Sequence, residues 1–265
     1  MPYIATTDGG SIFYTDEGAG PGILMIRGWS CDGSDWAWMQ ADFARDHRTI
    51  AIDNRGHGRS STADSYSPAL FAADAATVIE ALDLGRPIVV GHSMGTIVAS
   101  ALAVERPELV SRLVLIDPVY GSERSALSAA LDGVRAAPHE FATMAWGQFY
   151  GDRTPDWLPV WHRRRILSTD PQTVRDALVG LYEGEGAIGL KEVGVRYLPR
   201  RQAPILAIYA GSGAGVADWD SSLRHGAQDV IEVWPEHGHF LHQEDPDRFS
   251  RRVREWLEQL EPTVV

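Results

Sequence analysis

The stretch Pro87-Ile88-Val89-Val90-Gly91-His92-Ser93-Met94-Gly95 decides the fold: a short apolar run breaks at Gly-x-Ser-x-Gly and passes into the helix-like segment Thr96 to Arg106. A serine between two glycines at the end of a buried strand fits a strained strand-to-helix turn, because glycine leaves room where a Cβ would clash. Such a turn presents the Ser93 hydroxyl as a nucleophile. Upstream, Ile23-Leu24-Met25-Ile26 is a continuous apolar run of the kind found in strands covered on both faces. Trp36–Arg45 has helical apolar spacing, Thr49–Ile52 reads as a strand, and Ser67-Pro68 opens a helix through Leu82 with an N-cap and a first-turn proline. Leu113–Ile116 supplies the next strand, and Tyr3–Thr7 with Ser11–Thr15 flank Asp8-Gly9-Gly10 as a hairpin. This alternation predicts an α/β fold with a mostly parallel central sheet flanked by helices.

The rhythm stops after Asp117-Pro118. From Val119 to about Arg201 the chain reads as several helices punctuated by Pro138, Pro155, Pro159 and Pro171. Strands resume at Ile205–Tyr209 and Val230–Trp234, and Pro246–Leu260 closes as an amphipathic helix. The expected organisation is a core of residues 1–118 and 202–265 carrying a helical insertion at 119–201.

The 265 residues suffice for one large domain, and 44% hydrophobic with 23% charged residues is a globular composition. A formal charge of −12 argues against nucleic acid or an anionic membrane as main partner, since both are repelled by the average field. No basic segment followed by an apolar core opens the chain, and no run of about 18 apolar residues occurs, so neither a secretory signal nor a membrane span is expected. Cys31 is the only cysteine, which excludes an internal disulfide and a multi-cysteine metal site. A cytoplasmic enzyme acting on a small molecule is the simplest expectation, with monomer and homodimer both open.

Four ordered motifs carry a resemblance. They are Arg27-Gly28-Trp29 after a strand, Asp53-Asn54-Arg55-Gly56-His57-Gly58-Arg59-Ser60, Gly91-His92-Ser93-Met94-Gly95, and Gly238-His239-Phe240-Leu241 ahead of Glu244-Asp245-Pro246. Together they resemble the α/β-hydrolase superfamily over the whole chain except the insertion. The resemblance implies that fold, a cap formed by the insertion, and a serine hydrolase of esterase or lactonase type that needs no cofactor and no metal. A hydroxyl near neutral pH is a poor nucleophile until a base accepts its proton. Of nine histidines, His239 occupies the place of the family's catalytic imidazole, whereas His92 is expected to point away, His57 to brace a glycine loop, and His237 and His242 to be local scaffolding.

The acid that orients the histidine is where the chain departs from the usual pattern. Most members carry an aspartate beyond the strand that matches Ile205–Tyr209, but Gly211-Ser212-Gly213-Ala214-Gly215 places Ala214 there. Two alternatives stand. Asp117 ends the strand next to that of Ser93, the position from which lactonases similar to zearalenone hydrolase take their acid; Asp218 or Asp220 can instead reach in from the loop of Ala214. The oxyanion donors implied are the N–H of Met94, at the positive end of the helix that Ser93 opens, and that of Trp29 or Gly28. Arg27, where many relatives carry histidine, is either a salt-bridged brace or a contact to substrate oxygen. The insertion holds Met144, Trp146, Phe149, Tyr150, Trp157, Trp161 and Tyr182. Trp146, Tyr150 and Trp157 are expected to meet a hydrophobic ester or lactone, with Trp36, Tyr120 or Met94 beneath.

Carbon–carbon bond hydrolysis and cofactor-free perhydrolysis use similar triads, and the sequence does not separate them from ester cleavage. Two readings of other classes are a metal-dependent hydrolase built on His237-Gly238-His239-Phe240-Leu241-His242, in which Leu241 stands where a ligand aspartate is needed, and a non-catalytic receptor for a small ligand, favoured only by Ala214.

Overall fold

The computed structural model describes residues 2–184, 186–223 and 226–260, so the outer bounds expected for the core at residues 1 and 265 lie outside it. A hairpin leads: β1 (Tyr3–Ala5) and β2 (Ser11–Gly18) pair antiparallel with Tyr3 opposite Phe13. Then β3 (Gly22–Ile26), β4 (Arg48–Ile52), β5 (Ile88–His92), β6 (Arg112–Ile116), β7 (Ile205–Ala210) and β8 (Val230–Trp234) run parallel to one another, in the order β1-β2-β4-β3-β5-β6-β7-β8. Ser122 and Leu190 add one isolated bridge. Every residue of β5 and β7 is buried, as their unbroken apolar runs demand.

The helices α1 (Ala37–Phe43), α2 (Pro68–Ala81) and α3 (Met94–Glu105) link successive strands. Ser67 caps α2, its side chain accepting from the N–H of Leu70 at 3.1 Å. Between β6 and β7 lie α4 (Arg124–Ala136), α5 (Pro138–Gly147), α6 (Trp157–Ser168), α7 (Pro171–Tyr182) and α8 (Lys191–Tyr197). Pro138 and Pro171 open α5 and α7 in the first turn, where a missing N–H has no cost. After β7 comes α9 (Ala214–Ser221), and after β8 the short α10 (Leu241–Glu244) and the closing α11 (Pro246–Leu260). No described helix is long and apolar enough to cross a membrane.

Side chains alternate across the sheet, so each strand feeds two cores. Leu24 and Ile26 join Phe71, Ile97 and the insertion on one face; Ile23 and Met25 join Trp36, Phe43, Phe249 and Trp256 on the other. The loop after β4 is pinned by a buried carboxylate. Asp53 accepts from the N–H of Gly33 at 2.6 Å and of Arg59 at 2.8 Å, and burial raises its pKa from 3.8 to about 6. Between about pH 4 and pH 6 the folded chain therefore holds this proton and the unfolded chain does not, so the contribution present below pH 4 is lost as the pH rises through 6. Asp53→Asn is expected to lower stability throughout and to abolish that slope. Urea titrations at pH 4.5 and 6.5 should differ between wild type and variant by about 2 kcal/mol in their pH dependence.

Candidate active site

Parallel strands bring the loops at their carboxyl ends to one edge of the sheet, where open α/β sheets bind ligands. At the end of β5, Ser93 has φ 53° and ψ −121°, a conformation disfavoured for any residue with a Cβ. Neighbouring glycines permit it: a Cβ on Gly91 would overlap the backbone of Gly95, and one on Gly95 would overlap the carbonyl of Ile26. The N–H of Ser93 donates to Ile116 O at 3.0 Å, and its carbonyl accepts from the N–H of Thr96 at 2.9 Å, so the turn is tied to β6 and to α3. Helix α3, buried from Met94 to Val104, aims its positive end at this turn.

The loop after β3 lies against Ser93. A Cβ on Gly28 would stand 3.0 Å from that of Ser93, so only glycine lets the Gly28–Trp29 peptide come this close. Asn54 holds the loop, its side-chain amide donating to Arg27 O at 2.8 Å, and the Trp29 indole N–H donates to Val174 O at 2.7 Å. Among the described residues no protein acceptor pairs with the backbone N–H of Met94 or Trp29. Both amides are available to a ligand oxygen.

Asp117, at the end of β6, has φ 43° and is buried. Its Oδ2 lies 2.5 Å from His239 Nδ1, and its Oδ1 accepts from the N–H of Ala210 at 2.8 Å. Gly213 makes the space, since a Cβ there would sit 2.9 Å from Asp117 Oδ1. With Nδ1–H donated to the carboxylate, His239 Nε2 keeps a lone pair that can accept a proton. The other acids go elsewhere. Asp218 is exposed on α9; Asp220, buried on the same helix, accepts from the hydroxyls of Tyr209 at 2.8 Å and Tyr120 at 3.1 Å and stands 3.5 Å from Arg201.

The surrounding imidazoles are structural. His92 Nε2 donates to His239 O at 2.9 Å, which ties the loop after β8 to the strand that carries Ser93. His242 packs on Arg27 Nη1 at 2.5 Å, and burial with the Arg27 charge holds both His92 and His242 far below the usual histidine range. Burial holds His162 neutral too, at about 2. Arg27 is a brace: fully buried, it pairs with Asp35 at 3.1 Å. His237 faces Asp245 at 3.6 Å, so the imidazoles of 237, 239 and 242 turn to different partners, and among the described residues no group of three donors is placed to hold a metal ion.

Above Ser93 opens a cavity of about 470 Å³. Trp29, Ser93 and Met94 form its floor, and Leu127, Leu131, Phe141, Met144, Phe149 and Tyr182 its walls; Gln148 and the Tyr182 hydroxyl are further polar groups of its lining, and no charged residue lines it. Tyr182 donates to Val119 O at 2.9 Å, and burial pushes its hydroxyl up to about 12, so it too is neutral. Of the expected substrate contacts Met94 lies here, and Trp36, Tyr120, Trp146, Tyr150 and Trp157 do not. Trp36 is fully buried in the opposite core against His242, and Tyr120 is spent on Asp220. Trp146 and Tyr150 pack on His162 of the insertion and on Phe240 of the loop after β8, while Trp157 is 45% exposed and lines an outer cleft with Trp161. Of the aromatics in the insertion it is Phe141, Phe149 and Tyr182 that line the cavity. Among the residues missed, Leu127 and Leu131 belong to an apolar stripe: Ala126-Leu127 and Ala130-Leu131 recur four residues apart along α4, a pattern visible in the sequence.

The model of the Alpha/beta hydrolase family matches residues 23–252. The chain is 45% identical over 100 residues to a non-heme chloroperoxidase of Burkholderia pyrrocinia, covering 36% of each protein. It is 34% identical over 170 residues to a non-heme haloperoxidase of Rhodococcus erythropolis, covering 58% of this chain and 62% of that one. These matches thus span less than two thirds of either relative. A thermophilic esterase from Thermogutta terrifontis superposes with a TM-score of 0.83 at 22% identity, over 98% of both chains.

Proposed function

The chain belongs to the α/β-hydrolase family, and on that premise we propose that it is a serine hydrolase cleaving a carboxylic ester or lactone of a neutral, hydrophobic small molecule. The observation that carries this reading is the Asp117 carboxylate, clamped between the Ala210 N–H and His239 Nδ1 beside a serine in a strained turn. In the reaction His239 Nε2 takes the Ser93 proton as Oγ attacks the carbonyl carbon, and the oxyanion rests on the amides of Met94 and Trp29. The leaving alcohol takes the proton back from His239, and water activated by the same base releases the acyl group. Asp117 fixes the tautomer and stabilises the imidazolium. The helical insertion acts as the cap, and its uncharged lining supports a substrate without a formal charge, because a buried charge there has no partner.

Stoichiometric labelling of Ser93 by a fluorophosphonate, with turnover of apolar aryl esters and weak turnover of ionised ones, is the expected result. No labelling and no turnover would leave the receptor reading in its place. The two haloperoxidase relatives favour one further reaction of the same acyl-enzyme. Hydrogen peroxide in place of water would attack the acyl carbon, releasing a peracid and regenerating the serine hydroxyl. Peracid formation from a carboxylate and peroxide, lost in Ser93→Ala, tests it.

A further inference from the structure

Glu244 joins two parts of the molecule that the proposed chemistry needs in register. Its Oε2 accepts from the N–H of Gly238, next to His239, at 2.8 Å; its Oε1 accepts from the Thr154 hydroxyl in the insertion at 2.6 Å. The Thr154 oxygen in turn accepts from the N–H of Gly151 at 2.9 Å, closing a tight turn whose backbone bond runs from Thr154 N to Gly151 O at 3.0 Å. Beside this bridge the N–H of His239 donates to the carbonyl of Phe149 at 3.0 Å. The Phe149 ring lies 4.6 Å from the His239 ring and also lines the cavity over Ser93. Close approach depends on Gly238: a Cβ there would fall 2.7 Å from both Glu244 Oε1 and Phe149 O.

The backbone leading into the His239 Cα is thus held by the insertion at two successive N–H groups, that of His239 directly through Phe149 and that of Gly238 indirectly through Glu244 and Thr154. We propose that Glu244 is a positioning residue, and that with Thr154 it locks the 149–154 turn of the insertion to the loop of the base, so that the wall of the cavity and His239 are placed as one unit. A carboxylate suits the task because it accepts from two donors at once and needs no protonation to do so. The inference rests on the serine-hydrolase reading, and its test separates the two.

Thr154→Val keeps the shape of the side chain but removes the hydroxyl that reaches Glu244, leaving the Glu244–Gly238 bond in place. Glu244→Ala removes both arms. A chromogenic aryl ester gives kcat and KM, and fluorophosphonate gives the rate at which Ser93 is labelled. Misplacing a catalytic group by about 1 Å costs about 100-fold in rate, so both variants should lose about 10- to 100-fold in kcat and in labelling rate, with KM changed less than about threefold. Thr154→Ser should restore kcat to within about twofold of wild type. If Glu244→Ala does not fold, the threonine pair carries the test alone. A wild type that labels and turns over while Thr154→Val matches it in kcat and labelling rate overturns the clamp and leaves the hydrolase reading standing. A wild type that neither labels nor turns over overturns both.

Discussion

Asp117→Asn should lower kcat by about three to four orders of magnitude with the fold intact. The size of the effect follows from a choice forced on the new amide. One carboxylate oxygen faces the Ala210 N–H, which only donates; the other faces His239 Nδ1. An asparagine must turn its carbonyl to Ala210 and its NH2 group to His239, or it sets two donors against each other at a buried site. The first arrangement makes Nδ1 an acceptor and moves the imidazole proton to Nε2, where it can no longer take a proton from serine. Asp218→Asn, on an exposed part of α9, should leave kcat unchanged. Asp220→Asn should lower stability, since it weakens a buried site shared with Arg201, Tyr120 and Tyr209, without removing turnover. Steady-state kinetics with a thermal melt on each variant decides the matter: loss of turnover in Asp218→Asn, or near-normal kcat in Asp117→Asn, removes Asp117 from its role.

Ser93→Ala should abolish fluorophosphonate labelling and cut kcat by about 10⁴- to 10⁶-fold, because the nucleophile and the base act as a unit. Its melting temperature should stay near that of wild type, since alanine keeps the Cβ and hence the strain at φ 53°. Ser93→Gly should be equally inactive but more stable by about 1 kcal/mol, the strain of a positive φ outweighing the added freedom of the unfolded glycine. That pairing is diagnostic. A turn under strain for the sake of chemistry gains stability when the chemistry is removed, whereas a packing serine would lose it. Equal or lower stability of the glycine variant would show that the turn stores no strain.

Much of this architecture is legible in residue order. Continuous apolar runs at Ile23–Ile26, Ile88–Val90 and Ile205–Tyr209 announced strands buried on both faces, and Ser67-Pro68 marked a helix start by local chemistry. Local rules suffice there because a cap or an alternation involves neighbours only. The lining of the cavity over Ser93 was not legible for the opposite reason. Trp146, Tyr150 and Trp157 are large and sit in the insertion, but which side chains look inward depends on how α5, α6 and the segment between them pack against Phe240 and each other. Trp36 is only seven residues from Trp29, yet it crosses to the other side of the sheet.

The sequence by itself determined the strand–helix order, the strained glycine-flanked turn at Ser93 and the histidine loop after the last strand, because each follows from local sterics and hydrophobic periodicity. Only the tertiary structure shows that Asp117, 122 residues away along the chain, and not the sequence-near Asp218 or Asp220, lies against the His239 imidazole. What selects Asp117 is a donated N–H from Ala210, room left by the missing side chain of Gly213, and an Arg201 counter-charge that holds Asp220 elsewhere.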